Sequence, residues 1–85
     1  MTITSTSHDL FLAYARDAGN WAGTPLVGGN VGGTLAERGN LTQLKQAGLI
    51  STFADRGDVF IRFTPAGLAY ALSNGVEIFM DDLPY

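Results

Sequence analysis

Residues 50–63 constrain this chain more than any other stretch. Ser51-Thr52-Phe53-Ala54 and Val59-Phe60-Ile61-Arg62-Phe63 are rich in strand formers, and the Asp55-Arg56-Gly57-Asp58 tip between them is rich in turn formers. Two such runs about a glycine-containing tip read as a β-hairpin. Alternation along the second run puts Val59, Ile61 and Phe63 on one face, with Phe60 and Arg62 on the other.

The sequence on both sides of the hairpin has helical periodicity instead. In residues 7–20, Phe11, Tyr14, Ala18 and then Trp21 recur at helical spacing, joined by Leu10 and Ala15. Ser7 is the candidate cap, Asp9 suits the positive end of the helix dipole, and Gly19-Asn20 is the stop. A second helix is expected over 34–47. Thr34-Leu35-Ala36-Glu37 has the capping-box pattern, Leu41 and Leu44 define the apolar side, and Gly48 ends the helix so that Leu49-Ile50 enter the core. Gly39 inside such a helix costs roughly 1 kcal/mol relative to alanine, so an alternative start lies at residues 39–40 with Asn40 as cap. Thr64-Pro65 opens a third helix by the cap-plus-proline rule, with Leu68, Ala69 and Leu72 a turn apart and Asn74-Gly75 as its stop.

The link over 21–33 reads as a loop with one short turn of helix. Thr24-Pro25 could open such a turn, or Pro25-Leu26-Val27 form a short strand, before Gly28-Gly29-Asn30-Val31-Gly32-Gly33 breaks any regular element. Beyond the third helix, residues 76–80 alternate weakly as a third strand or a docking tail. Trp21, Phe53, Phe60 and Phe63 are simplest as core residues; one of them exposed would mark an interface.

Hydrophobic residues make up 46% of the chain and charged residues 15%, a globular composition. Its 85 residues suffice for one domain, expected over 8–80, with a flexible arm at 1–7 and an acidic tail at 81–85. A chain this short buries about 60–65% of its extended surface. It has no cysteine, so neither a disulfide nor a thiolate metal site can reinforce the core. Self-association to a homodimer is therefore expected. No signal-peptide pattern is present and no apolar run approaches the ~20 residues that cross a bilayer; a cytoplasmic protein with no membrane partner is expected.

The order of elements, with Leu44, Gly48, Leu49 and Ile50 at the end of the second helix and Phe63, Thr64 and Gly67 after the hairpin, resembles the winged helix-turn-helix domain of MarR-type transcription regulators. The likeness covers about residues 34–72. It implies a small α+β fold of about three helices with a two- or three-stranded β-wing. It also implies that the 34–47 helix is the one that lies in a DNA major groove, with the wing tip at Arg56 over the neighbouring backbone or minor groove.

The residues themselves point to the same face. Arg38, Thr42 and Lys45 follow one another at helical spacing with Gln46 beside them and Gln43 flanking, opposite Leu41 and Leu44. Such side chains can address phosphates and base edges. The net charge of −3 limits that affinity, but its distribution is uneven. Residues 34–63 carry four of the five basic residues, Arg38, Lys45, Arg56 and Arg62, against Glu37, Asp55 and Asp58. The expected function is double-stranded DNA binding by a transcriptional regulator or accessory factor, through Arg38, Thr42, Lys45, Gln46 and Arg56. The alternative is a protein-binding winged helix, an inhibitor or adaptor whose acidic surface seeks a basic partner.

Enzymatic classes find no support in the motifs. The glycine run lacks the Lys-Ser/Thr ending of a phosphate loop. His8, the one histidine, has only Ser7 and Asp9 beside it in the chain and reads as an early helix residue. Asp81-Asp82 is a poor cation site without further oxygen ligands. No cofactor or metal is expected.

Overall fold

The computed structural model describes residues 3–31 and 35–78. Within them the order is α1 (Ser5–Asp17), a 3-10 turn (Ala18–Trp21), α2 (Leu35–Gln46), β1 (Ile50–Asp55), β2 (Asp58–Phe63) and α3 (Pro65–Ser73). This is a small α+β fold of three helices and an antiparallel hairpin, in an order compatible with a winged-helix arrangement.

The cap of α1 is Thr4, not Ser7: its hydroxyl accepts from the Ser7 amide at 3.2 Å. Ser5, Thr6 and Ser7, placed in the N-terminal arm by sequence, therefore belong to the helix. Ser7 is buried instead, with its hydroxyl 3.2 Å from Asn40 Oδ1 on α2. That contact also explains Asn40, which lies mid-helix and caps nothing, because α2 already starts at Leu35. Thr4 adds a second tie, its amide donating to Gln43 Oε1 at 2.8 Å. The expected capping partner Thr34 lies outside the described residues.

Leu10, Phe11 and Tyr14 of α1, Leu41 and Leu44 of α2, Leu49, and Ile50, Ile61 and Phe63 of the hairpin form the core. Each large apolar side chain buried this way contributes about 1.5–3 kcal/mol. Phe11 is central, edge-on to Phe63 at 5.6 Å and to Tyr70 at 5.3 Å. Burial, reinforced by the Glu37 and Asp17 charges, pushes the Tyr14 phenol up to about 12.

The hairpin is regular, with register running from Ile50↔Phe63 to Asp55↔Asp58. Arg56 and Gly57 form its two-residue loop with φ of 53° and 86°, the doubly positive backbone of a type I′ turn. The ambiguous link resolves as a strand stub. Val27 N–H donates to Val59 O and Ile61 N–H to Pro25 O, both at 2.8 Å, adding residues 25–27 to the far side of β2. The short helical turn precedes the stub, at Ala18–Trp21. Asp17 anchors the whole link: its buried carboxylate accepts from Asn20 (2.8 Å), Trp21 Nε1 (2.9 Å) and Asn30 (2.9 Å).

The two junctions recognised in sequence touch each other. Gly48, at φ 79°, closes α2 with its own N–H on Lys45 O and that of Leu49 on Leu44 O, the Schellman arrangement that only glycine enters without strain. The Thr64 hydroxyl caps α3 by accepting from Gly67 N at 2.9 Å and donates towards the Gly48 carbonyl at 2.6 Å. Gly67 then presses on the Leu49 carbonyl so closely that a Cβ there would lie 2.0 Å from the oxygen.

That close approach turns α3 away from its expected orientation. Gly67 and Ala71 are the buried pair, Leu68 is half-buried, and Ala69 and Leu72 face outward, Leu72 at 63% exposure. At the capped end the contact falls to Gly67 because that end sits on the Leu49 backbone, while Tyr70 packs edge-on to Phe11 further along the helix. Residues 76–78 form no strand, although Val76 and Ile78 pack on the core. Phe79 to Tyr85, with the acidic tail, lie outside the described residues. No helix among the described residues is long and apolar enough to cross a membrane.

Candidate nucleic-acid interface

The outward face of α2 follows from which residues the core takes. Leu41 and Leu44 are buried, Asn40 and Gln43 meet the start of α1, and Ala47 is half-buried against the core. Those five positions occupy one side of the helix. The opposite side consists of Arg38, Gly39, Thr42, Lys45 and Gln46, all exposed. Four of the five expected site residues are thus brought together on one helical surface. Gln43, the flanking candidate, is instead committed to Thr4.

Among the described residues no salt bridge engages Arg38, Lys45 or Arg56. Thr42 is partly occupied, because its hydroxyl donates to the Arg38 carbonyl one turn back at 3.1 Å; its oxygen can still accept. Gly39 has open space where a side chain would stand. It leaves the face low at its middle, between the stems of Arg38 and Thr42.

Arg56 stands apart from this cluster, at the exposed hairpin tip. Asp55 and Asp58 face each other directly below it, so the tip presents one cation over two carboxylates. Its positive φ is unfavourable for a residue with a Cβ by roughly 1–2 kcal/mol, and asparagine or glycine would be the usual occupant.

A second surface was not singled out in sequence as a site. Leu26 pairs with Phe60, and Phe60 with Phe53, so one row of apolar side chains crosses the stub, β2 and β1 on the face turned from the core. Phe53 and Phe60 stack at 5.5 Å, Trp21 stands edge-on to Phe60 at 6.5 Å, and the Arg62 guanidinium lies 4.7 Å over the Phe53 ring. Of the four aromatics expected in the core, only Phe63 is buried; Trp21, Phe53 and Phe60 are half-exposed. The signal available in sequence was the shared parity of Phe60 and Arg62; the third member of the row needed the register.

His8 lies half-buried in α1 with Nδ1 2.5 Å from the Tyr70 hydroxyl of α3, a helix-to-helix tie. No group of three or more His, Cys, Asp or Glu able to hold a metal occurs among the described residues.

No family model matches this chain, and neither the curated proteins nor the solved structures contain a match to it.

Proposed function

We propose that this domain binds double-stranded DNA, with α2 as the element that enters the major groove and Arg56 reaching the adjacent backbone. The observation that carries the reading is the α2 face itself. Arg38, Thr42, Lys45 and Gln46 are exposed together on one side of a helix whose other side is fixed to the core and to α1. A helix about 12 Å across fits a major groove, and arginine, lysine and glutamine there meet phosphates and purine edges. The likeness of the Gly48–Ile50 and Thr64–Gly67 junctions to those of MarR-type winged helices supports the same choice of helix. The departure is that, among the described residues, a strand stub and turns precede α2 where a helix-turn-helix has its first helix. α1, tied to α2 through Ser7 and Asn40, is the element that buttresses it here.

With two cations on the helix and one on the tip, few phosphates are neutralised. Affinity should be modest and its dependence on log salt shallow, with a slope near −3 for one protomer. Fluorescence anisotropy on a labelled duplex at low salt tests this. The joint substitution Arg38→Ala and Lys45→Ala should weaken binding on every sequence and reduce the slope by about 2. Folded protein that causes no anisotropy change at tens of micromolar contradicts the proposal.

A further inference from the structure

Among the described residues the outer edge of β1 has no strand partner. β2 is covered on both sides, by β1 and by the 25–27 stub, but β1 is paired on one side alone among the described residues. The bonds from the stub identify Val59 and Ile61 as the β2 residues whose backbone points away from β1. Their partners Ala54 and Thr52 are then the β1 residues whose N–H and C=O groups point out from the free edge. Ile50–Asp55 holds no lysine, no proline and no bulge across its six paired positions, the devices that normally keep such an edge from pairing.

We propose that this edge pairs with β1 of a second copy of the chain, antiparallel about a two-fold axis at Phe53. In that register Thr52 faces the partner's Ala54 and Ala54 the partner's Thr52, and each of these pairs exchanges two backbone hydrogen bonds. Phe53 faces the partner's Phe53 at the non-hydrogen-bonded position, where side chains come closest. The apolar row Leu26–Phe60–Phe53 then runs unbroken through the axis into its symmetry mate.

Charge complementarity selects a second copy as the occupant. Asp55 falls opposite the partner's Ser51, a small hydroxyl that can donate to the carboxylate. Ser51 is itself paired with Arg62 on the same face, so each Asp55 looks across a serine towards the partner's guanidinium. No acid meets an acid across the axis, and the interaction occurs twice by symmetry. This pairing does not depend on the DNA-binding reading.

Sedimentation velocity over a concentration series, with amide hydrogen exchange at both ends of it, tests the proposal. A dimer whose Thr52 and Ala54 amides gain protection with concentration is the expected result. Ser51→Glu puts a carboxylate opposite the partner's Asp55 at both sites while gaining a favourable neighbour, Arg62, within its own chain. It should weaken association about tenfold or more and leave the thermal midpoint of the monomer intact. Adding Asp55→Lys to Ser51→Glu should restore the dimer. A monomer throughout, up to about 1 mM, overturns the proposal. So does a dimer that is indifferent to Ser51→Glu, or one that leaves the Thr52 and Ala54 amides exchanging freely.

Discussion

At position 17 a buried carboxylate holds three N–H donors, and the opposing influences on it are legible. Burial pushes the Asp17 carboxyl up, while the bonds from Asn30, Asn20 and Trp21 pull it down and prevail, leaving it below 3.8. A carboxylate whose pKa falls on folding contributes stability that is present above its unfolded value and lost as pH falls through the folded one. Asp17→Asn should therefore cost about 1–3 kcal/mol at neutral pH, since an amide cannot accept from all three donors. The gap between wild type and variant, followed by urea denaturation, should narrow as pH drops from about 5 to about 2. At position 67 the constraint is steric. Gly67→Ala places a methyl group 2.0 Å from the Leu49 carbonyl oxygen and should lower stability by about 1–3 kcal/mol, read in the same way. Position 56 has the opposite sign: Arg56→Asn relieves a left-handed backbone and should raise stability by roughly 0.5–1 kcal/mol. If the tip touches DNA, that stabilised variant binds duplex less tightly, and anisotropy separates the two effects.

Among the elements, the hairpin was the most legible in sequence, because strand formers on both sides of Arg56-Gly57 leave one closing turn. Helix α2 was nearly as plain: Leu41 and Leu44 define its buried side, and that alone leaves Arg38, Thr42, Lys45 and Gln46 outside. Its start was ambiguous for a physical reason. Gly39 and Asn40 look like a boundary until Ser7, 33 residues away, supplies the polar partner that makes an asparagine acceptable mid-helix. Helix α3 misled, because periodicity weighs large apolar residues, whereas its start approaches the Leu49 backbone through Gly67 and the rest of its contact runs through small Ala71 and the half-buried Tyr70. The aromatic row also lay beyond sequence, since it depends on the register that places Leu26 beside Phe60. The α3 orientation predicts that Leu72→Gln, exposed at 63%, changes the thermal midpoint little. Ala71→Leu, at a fully buried position, should instead destabilise by about 1–3 kcal/mol through overpacking.

For the molecule as a whole, the net charge of −3 and the local charge of α2 pull in different directions. Long-range attraction to DNA is weak, so any binding must come from contacts made within a Debye length of about 8–10 Å. A footprint confined to one helix face and one hairpin tip is what that implies. A titration of the isotope-labelled protein with a short duplex at low salt, followed by amide chemical shifts, locates that footprint residue by residue. DNA binding through α2 gives saturable shifts at Arg38, Thr42, Lys45 and Gln46, smaller ones at Arg56, and none on the outward side of α3 around Leu72. Shifts confined to the Trp21, Phe53 and Phe60 face, or none at α2, would contradict it.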